Sequence, residues 1–346
     1  MKLFIHAPNV HQGGGRALLV PLLEAAGKQL STTALLDTRL DLPEEVLRLL
    51  SIIRITPTIP GRLAGEWRLR RLVQAKDTVL CFGNLPPLFK LKGKSIVFLQ
   101  NRYLVERADL KCFPLKVKLR LIVERFWLHS LNAHATTVIV QTGSMQQATM
   151  RTLQRSVDVV ALFPDSAGSP RRETEQDAGR TAVYDFLYVA TGEPHKNHAN
   201  LLEAWKILAS DGLYPSLCLT ISESDYPSLF RIIEQTKIDN KLNIQNVPAI
   251  SPYDIQQLYK QVRALVFPSL MESFGVPLLE ARQAGLSIIA SELDYVRDVV
   301  NPEETFDPSS PLSIARAVRR FLGSSESLHP IRGPEEFVQS LLTMVC

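Results

Sequence analysis

Glu272 and Glu280 flank a stretch, Ser273-Phe-Gly-Val-Pro-Leu-Leu279, whose residue types prepare a helix start to receive a phosphate. The apolar run Ala264-Leu-Val-Phe267 reads as a buried strand. Beyond Gly275 the chain reads as a helix over residues 276–284, with Pro277 near its front and Gly285 at its close. Proline there costs no intrahelical bond and Gly275 lets a ligand approach the backbone. The free N–H groups of Phe274, Gly275 and Val276, beside Ser273, carry the positive end of the helix dipole. An anionic leaving group fits such a turn. Glu280, one turn in, can accept two hydrogen bonds from a vicinal diol, as an acid does for ribose in dinucleotide folds. Taken alone, the same two acids would also suit a dipole partner and a solvated loop residue.

Lys196 is the next group that could do chemistry, in Thr191-Gly-Glu-Pro-His-Lys-Asn197, between a strand and a helix that starts near His198. A cation at a helix N-terminus opposes the dipole, and a diphosphate between the two would resolve the conflict. Near the amino end, His11-Gln-Gly-Gly-Gly-Arg16 follows the first strand and reads as a loop ahead of a helix. Gly13, Gly14 and Gly15 permit close approach of a ligand, or simply a tight turn. Neither the G-x-G-x-x-G spacing nor a following Lys-Ser/Thr is present, which argues against a nicotinamide-dependent dehydrogenase and a P-loop enzyme.

The elements that must position these residues alternate. Strand-prone runs occur at residues 2–6, 79–82, 95–99 and 137–140, and again at 185–190, 216–221, 264–267 and 287–290, with helical stretches such as 18–30 and 198–209 between them. This predicts an α/β protein of two doubly wound, Rossmann-like domains facing across a crevice, with ligands at the carboxyl ends of the strands. The expected boundaries are 1–165 for the acceptor-side domain, 166–182 for a polar linker, 183–330 for the donor domain, and 331–346 for a C-terminal helix packing back on the first domain.

Composition narrows the class further. A chain of 346 residues suits two domains with their own cores, and no window approaches the ~20 apolar residues that span a bilayer. Cys81, Cys112, Cys218 and Cys346 form no C-x-x-C pair, so neither a zinc site nor a disulfide framework is expected and a reducing cytosol fits. The opening residues are broken by His6 and Pro8, too soon for a signal peptide. Charge is uneven: residues 1–165 carry 23 Lys and Arg against 12 Asp and Glu, a balance of +11, and the remainder stands at −7. Such a bias holds anions at long range without choosing among membrane, nucleic acid and phosphorylated substrate.

Four blocks in order resemble the family 4 retaining glycosyltransferases, whose hallmark is two glutamates separated by seven residues. They are Phe267-Pro-Ser-Leu-Met-Glu-Ser-Phe-Gly-Val-Pro-Leu-Leu-Glu-Ala281, Ser291-Glu-Leu-Asp-Tyr-Val-Arg-Asp298, Phe306-Asp-Pro308 and Ile314-Ala315. The resemblance implies the GT-B architecture and a nucleoside diphosphate sugar, UDP- or GDP-linked, as donor. It places Glu272 at the transferred sugar as the catalytic residue, with Glu280, Lys196, Thr191 and the Ser273-to-Val276 turn (Ser273, Phe274, Gly275, Val276) as donor contacts. It also sets Gly13, Gly14 and Gly15 beside the donor phosphates and acceptor. The commoner pattern has an arginine five residues before the lysine, where this chain has Thr191, so another basic residue or the helix terminus must complete the clamp. Gln100 and Asn101 stand where relatives carry a histidine, and Pro248 where they carry a glycine near the base. No general base is named; in a retaining front-face reaction the departing phosphate oxygen takes the acceptor proton.

The implied function is transfer of a sugar to a hydroxyl of a glycan or lipid-linked glycan in surface polysaccharide (lipopolysaccharide, O-antigen) biosynthesis, with no cofactor, no essential metal and no nucleic acid partner. A catalytically silent nucleotide-sugar or carbohydrate-binding scaffold is the alternative. The segment 111–128 interleaves Lys116, Lys118, Arg120 and Arg125 with apolar residues, and at helical spacing Leu115, Leu119, Ile122 and Phe126 share a face. That face suits either a buried core or an anionic membrane surface. The expected location is cytoplasmic, peripheral on the inner face of the cytoplasmic membrane.

Overall fold

A computed structural model describes residues 1–106, 115–162, 182–248 and 251–324. Residues 163–181, most of the expected linker, and the expected C-terminal helix at 331–346 lie outside the described residues. The first sheet takes β1 (Leu3–Ala7), β2 (Thr32–Asp37), β3 (Ser51–Ile55), β4 (Thr78–Cys81), β5 (Lys94–Phe98), β6 (Thr137–Val140) and β7 (Asp158–Val159), ordered β3-β2-β1-β4-β5-β6-β7. The second takes β8 (Tyr184–Tyr188), β9 (Leu217–Leu219), β10 (Ile244–Asn246), β11 (Val262–Phe267), β12 (Ser287–Ser291) and β13 (Glu304–Phe306), ordered β10-β9-β8-β11-β12-β13. All pairings are parallel. In each sheet the order reverses beside the first strand, between β1 and β4 and between β8 and β11. Ligands of open parallel sheets settle in the crevice that this reversal opens.

Right-handed crossovers then fix which face each helix covers. In the first domain α1 (Gly13–Gln29) and α2 (Glu44–Leu49) lie on one face, where Leu18, Leu19, Leu23 and Val46 pack with Ile5 and Leu36. On the other face lie α3 (Ile59–Leu72), α4 (Leu115–Ser130) and α5 (Gly143–Leu153), where Leu69, Leu121, Leu128, Met145 and Leu153 pack with Val79 and Val97. The second domain adds α6 (His198–Ser210), α7 (Pro227–Asp239), α8 (Pro252–Tyr259), α9 (Val276–Gln283), α10 (Asp294–Arg297) and α11 (Pro311–Phe321) around a core centred on Phe186, Trp205, Leu265 and Ile289.

Two sequence expectations change. Helix α1 begins at Gly13, so Gly13, Gly14 and Gly15 are its first turn and not a loop ahead of it; Gly13 takes a left-handed φ of 63° that its lack of a Cβ allows. The strands β2, β3, β7, β10 and β13 are additional to those read from the sequence. Most are short or at a sheet edge, where few residues carry the apolar signal.

Candidate functional site

Strands β8 and β11 end side by side, and their two following loops carry Lys196 and Glu272. A hydroxyl network clips these loops together. The Tyr188 hydroxyl donates to the Lys196 carbonyl at 2.7 Å and lies 3.0 Å from Ser269 Oγ. The Ser269 carbonyl accepts from Tyr295 Oη at 2.7 Å and Ser291 Oγ at 3.0 Å, and Leu270 N donates to the His195 carbonyl at 2.8 Å. Asn197, in the left-handed region at φ 62°, caps this arrangement by donating from Nδ2 to the Pro268 and Pro308 carbonyls. The Phe306-Asp-Pro308 block therefore acts structurally, the Pro308 carbonyl holding Asn197 and Asn200.

Within that frame Lys196 Nζ lies 2.6 Å from Glu272 Oε1, with both side chains largely shielded from solvent. The anion that meets the lysine in this structure is thus the carboxylate of Glu272. Helix α9 follows with no side-chain cap, its N-cap Gly275 at φ 76°; a Cβ there would lie 2.9 Å from Leu278 Cδ1. Phe274 turns its ring into the core, so it could offer a ligand only its backbone, and Val276 packs partly against the same core. Glu280 sits one turn into α9, where its Oε2 accepts from Tyr259 Oη at 2.9 Å. Burial holds the Tyr259 phenol far above its usual range and the Glu280 charge adds to this, so the hydroxyl stays a donor.

Thr191 bonds within its own loop, its hydroxyl donating to Glu193, which also accepts from Tyr226 Oη at 2.8 Å. Burial would raise the Glu193 carboxyl, but these two hydroxyls and the nearby Lys196 hold it below the usual value. Gln100 and Asn101 likewise serve their loop. Asn84 Oδ1 accepts from the backbone N of Gln100 and Asn101 at 2.6 and 2.9 Å, and Asn101 Oδ1 accepts from Tyr103 N at 3.1 Å. No hydrogen bond among the described residues joins Gly13, Gly14 or Gly15 to Glu272 or Lys196. They form an uncapped helix start at the carboxyl end of β1, the switch-point strand of the first sheet.

Arg102 is the residue that sequence reasoning misses. The turn capped by Asn101 carries it across the crevice, where its backbone N donates to Ser273 Oγ and its guanidinium to the Glu272 carbonyl, both at 3.3 Å, while Nε lies 2.7 Å from Glu106 Oε1. Tyr103, beside it, sets its ring 5.6 Å from His195; burial, reinforced by the Glu272 and Glu193 charges, pushes its phenol up to about 12. A basic residue immediately after the histidine-equivalent position is a visible signal, but nothing local says that it spans the crevice. Asp298 makes a second crossing, its carboxylate accepting from Ser144 N at the start of α5 at 3.0 Å.

Buried histidines tie the site's stability to pH. Burial lowers His198, its ring tilted against Tyr188, to about 4, and lowers His6, buried in the first domain, to about 4 against the opposing charge of Glu66. The folded protein keeps both neutral where the unfolded chain binds protons. Their stabilisation is complete above the ordinary histidine value near 6.5 and is lost as pH falls toward 4, at most about 3 kcal/mol each. Urea unfolding at pH 7.5 and pH 4.5 should register this loss, and His198→Gln should make it smaller. An unchanged pH dependence in the variant would refute the assignment.

Comparison with known proteins gives a consistent picture. Residues 171–332 match the family Glycosyl transferases group 1. The serotype-specific mannosyltransferase WbdA of Escherichia coli is 28% identical over 227 residues, covering 59% of this chain and 27% of that protein. The chain thus spans about a quarter of that relative's length. The O-antigen chain mannosyltransferase B of Escherichia coli is 29% identical over 116 residues, 33% of this chain and 30% of that protein. Among solved structures, Anabaena HepE in complex with UDP-glucose superposes with a TM-score of 0.65 at 16% identity, covering 93% of this chain and 90% of that one. The sucrose-phosphate synthase of Thermosynechococcus elongatus gives the same TM-score and identity. These likenesses establish the GT-B fold.

Proposed function

On the premise that residues 171–332 are a Glycosyl transferases group 1 domain, we propose that this chain is a retaining glycosyltransferase using a nucleoside diphosphate sugar. The observation that carries this reading is the Lys196–Glu272 ion pair at 2.6 Å, set at the β8/β11 switch point against the uncapped start of α9 with Glu280 one turn beyond. A cation and free N–H groups converge where a diphosphate would gather charge as it leaves. Glu272 lies at the sugar side, and Glu280 holds the ribose diol. In the reaction the bond from the anomeric carbon to the phosphate oxygen breaks and a bond to the acceptor hydroxyl oxygen forms on the same face. The hydroxyl proton passes to the departing phosphate oxygen. Already on donor binding Lys196 exchanges the Glu272 carboxylate for the diphosphate, with no metal needed. The names of the mannosyltransferase relatives support a hexose as the transferred sugar and a surface polysaccharide, on a glycan or lipid-linked acceptor, as the product.

A nucleoside diphosphate should stabilise the protein in EDTA as well as in its absence. At a ligand concentration of ~100 times Kd the gain is about 2.7 kcal/mol. Thermal shifts with UDP, GDP, ADP and CMP, against NAD, measure it. Stabilisation by NAD with none from any nucleoside diphosphate overturns the transferase reading, and loss of the shift in EDTA overturns its metal-free part.

A further inference from the structure

Helix α4 turns its apolar face outward. Leu115, Leu119, Ile122, Val123 and Phe126 are all exposed, Leu115 to 81% and Phe126 to 72%, whereas Leu121 and Leu128 on the opposite side fill the core. Helix α3 does the same. Ile59, Leu63 and Trp67, spaced four apart, are exposed while Glu66 and Leu69 are buried. Both helices cover the same face of the first sheet, and they meet where the Arg62 guanidinium of α3 lies 5.3 Å from the Trp127 ring of α4.

We infer that this surface docks on an anionic lipid bilayer. The charge around it selects that occupant. Helices α3 and α4 together carry 8 Lys and Arg against 2 Asp and Glu, a balance of +6 and so more than half of the +11 of the first half. On the helices themselves Arg68, Arg70, Arg71, Lys116 and Arg120 are exposed. Their acids are withdrawn: Glu66 is buried, and Glu124 is largely covered, 3.8 Å from Arg120. Aromatic and aliphatic residues with lysine and arginine at their margins match an interface between headgroups and acyl chains, whereas protein interfaces are poor in lysine. The contact lies in the membrane plane, because no helix among the described residues is long and apolar enough to cross.

The geometry also gives the docking a use. Ile59, the first residue of the α3 stripe, lines a cavity of about 200 Å³ with Pro8, Asn9, Thr56, Thr58 and Arg62, at the carboxyl ends of β1 and β3. The docked face and the crevice end of the sheet meet there, where an amphiphilic acceptor would enter from the bilayer.

Flotation of the full chain with phosphatidylcholine vesicles, with and without phosphatidylglycerol, tests the inference. Binding to the anionic vesicles should exceed binding to the neutral ones at least tenfold at low salt and fall away near ~0.5 M salt. The variant Leu119→Ser/Ile122→Ser/Phe126→Ser and the reversal Lys116→Glu/Arg120→Glu should each lower it at least tenfold. Both should keep the wild-type nucleotide-induced thermal shift, which shows that they fold and separates this surface from the donor site. Equal, weak binding of wild type to both vesicle types overturns the inference. So does a wild-type dimer that the serine variant turns into a monomer without change in vesicle binding, since the face would then be covered by a second copy.

Discussion

Replacing Glu272 by glutamine should lower sugar transfer by a factor of about 10² or more while leaving nucleoside diphosphate affinity within about threefold of wild type. The ion pair gives the reason. In the free protein Glu272 occupies Lys196 at 2.6 Å, so removing its charge releases the ammonium toward the incoming diphosphate. Under the proposed function what is lost is the carboxylate at the sugar, where charge develops only during the reaction. Lys196→Ala should behave in the opposite way: the nucleotide meets an unpaired carboxylate and no cation, so its affinity falls with turnover. Because the two side chains share one interaction, the double variant should be less impaired in nucleotide binding than the sum of the singles. Calorimetric titration with UDP and GDP, together with initial rates on an acceptor, resolves these cases. Equal losses of affinity in Glu272→Gln and Lys196→Ala would remove the division of labour between sugar and phosphate.

The second large effect belongs to the nucleotide itself. Glu280→Ala should weaken it by roughly 1.5 to 3 kcal/mol, the scale of a charge-assisted hydrogen bond, which is about 10- to 150-fold in Kd. Tyr259 adds a graded control. Its hydroxyl donates to Glu280 Oε2 at 2.9 Å from the end of α8, so Tyr259→Phe frees the carboxylate to rotate without removing it. A loss smaller than that of Glu280→Ala is expected, with folding intact because the ring still fills its place in the core. If Glu280→Ala folds and binds UDP and GDP within twofold of wild type, the diol assignment fails.

The start of α9 is legible from residue types alone, because proline, glycine and the strand before them each restrict the backbone locally and in the same sense. The two parallel sheets follow from alternation for a similar reason. Edge strands such as β7, two residues long, and β10, three residues long, carry too little periodic signal to be read. The glycines at 13–15 could be assigned to a loop or to a helix start, since glycine's freedom fits both. Only the packing of Leu18, Leu19 and Leu23 beneath α1 favours the helix.

What the sequence by itself determines is therefore a set of local commitments: a helix start shaped for an anion, two acids with seven residues between them, a lysine in the loop after another strand, and an apolar stripe on α4. Spacing within 16 residues shows that Leu119, Ile122 and Phe126 share a face, but not whether that face meets the sheet or the solvent. The tertiary structure decides it outward, because Leu121, Leu128 and the half-buried Trp127 already supply the packing that the sheet requires. The same holds for the site. Lys196 and Glu272 are 76 residues apart, and Arg102 reaches the Glu272 carbonyl from 170 residues away in the other domain. Contacts of that range arise when two switch points face each other, and they depend on chain closure and core packing that no local pattern encodes.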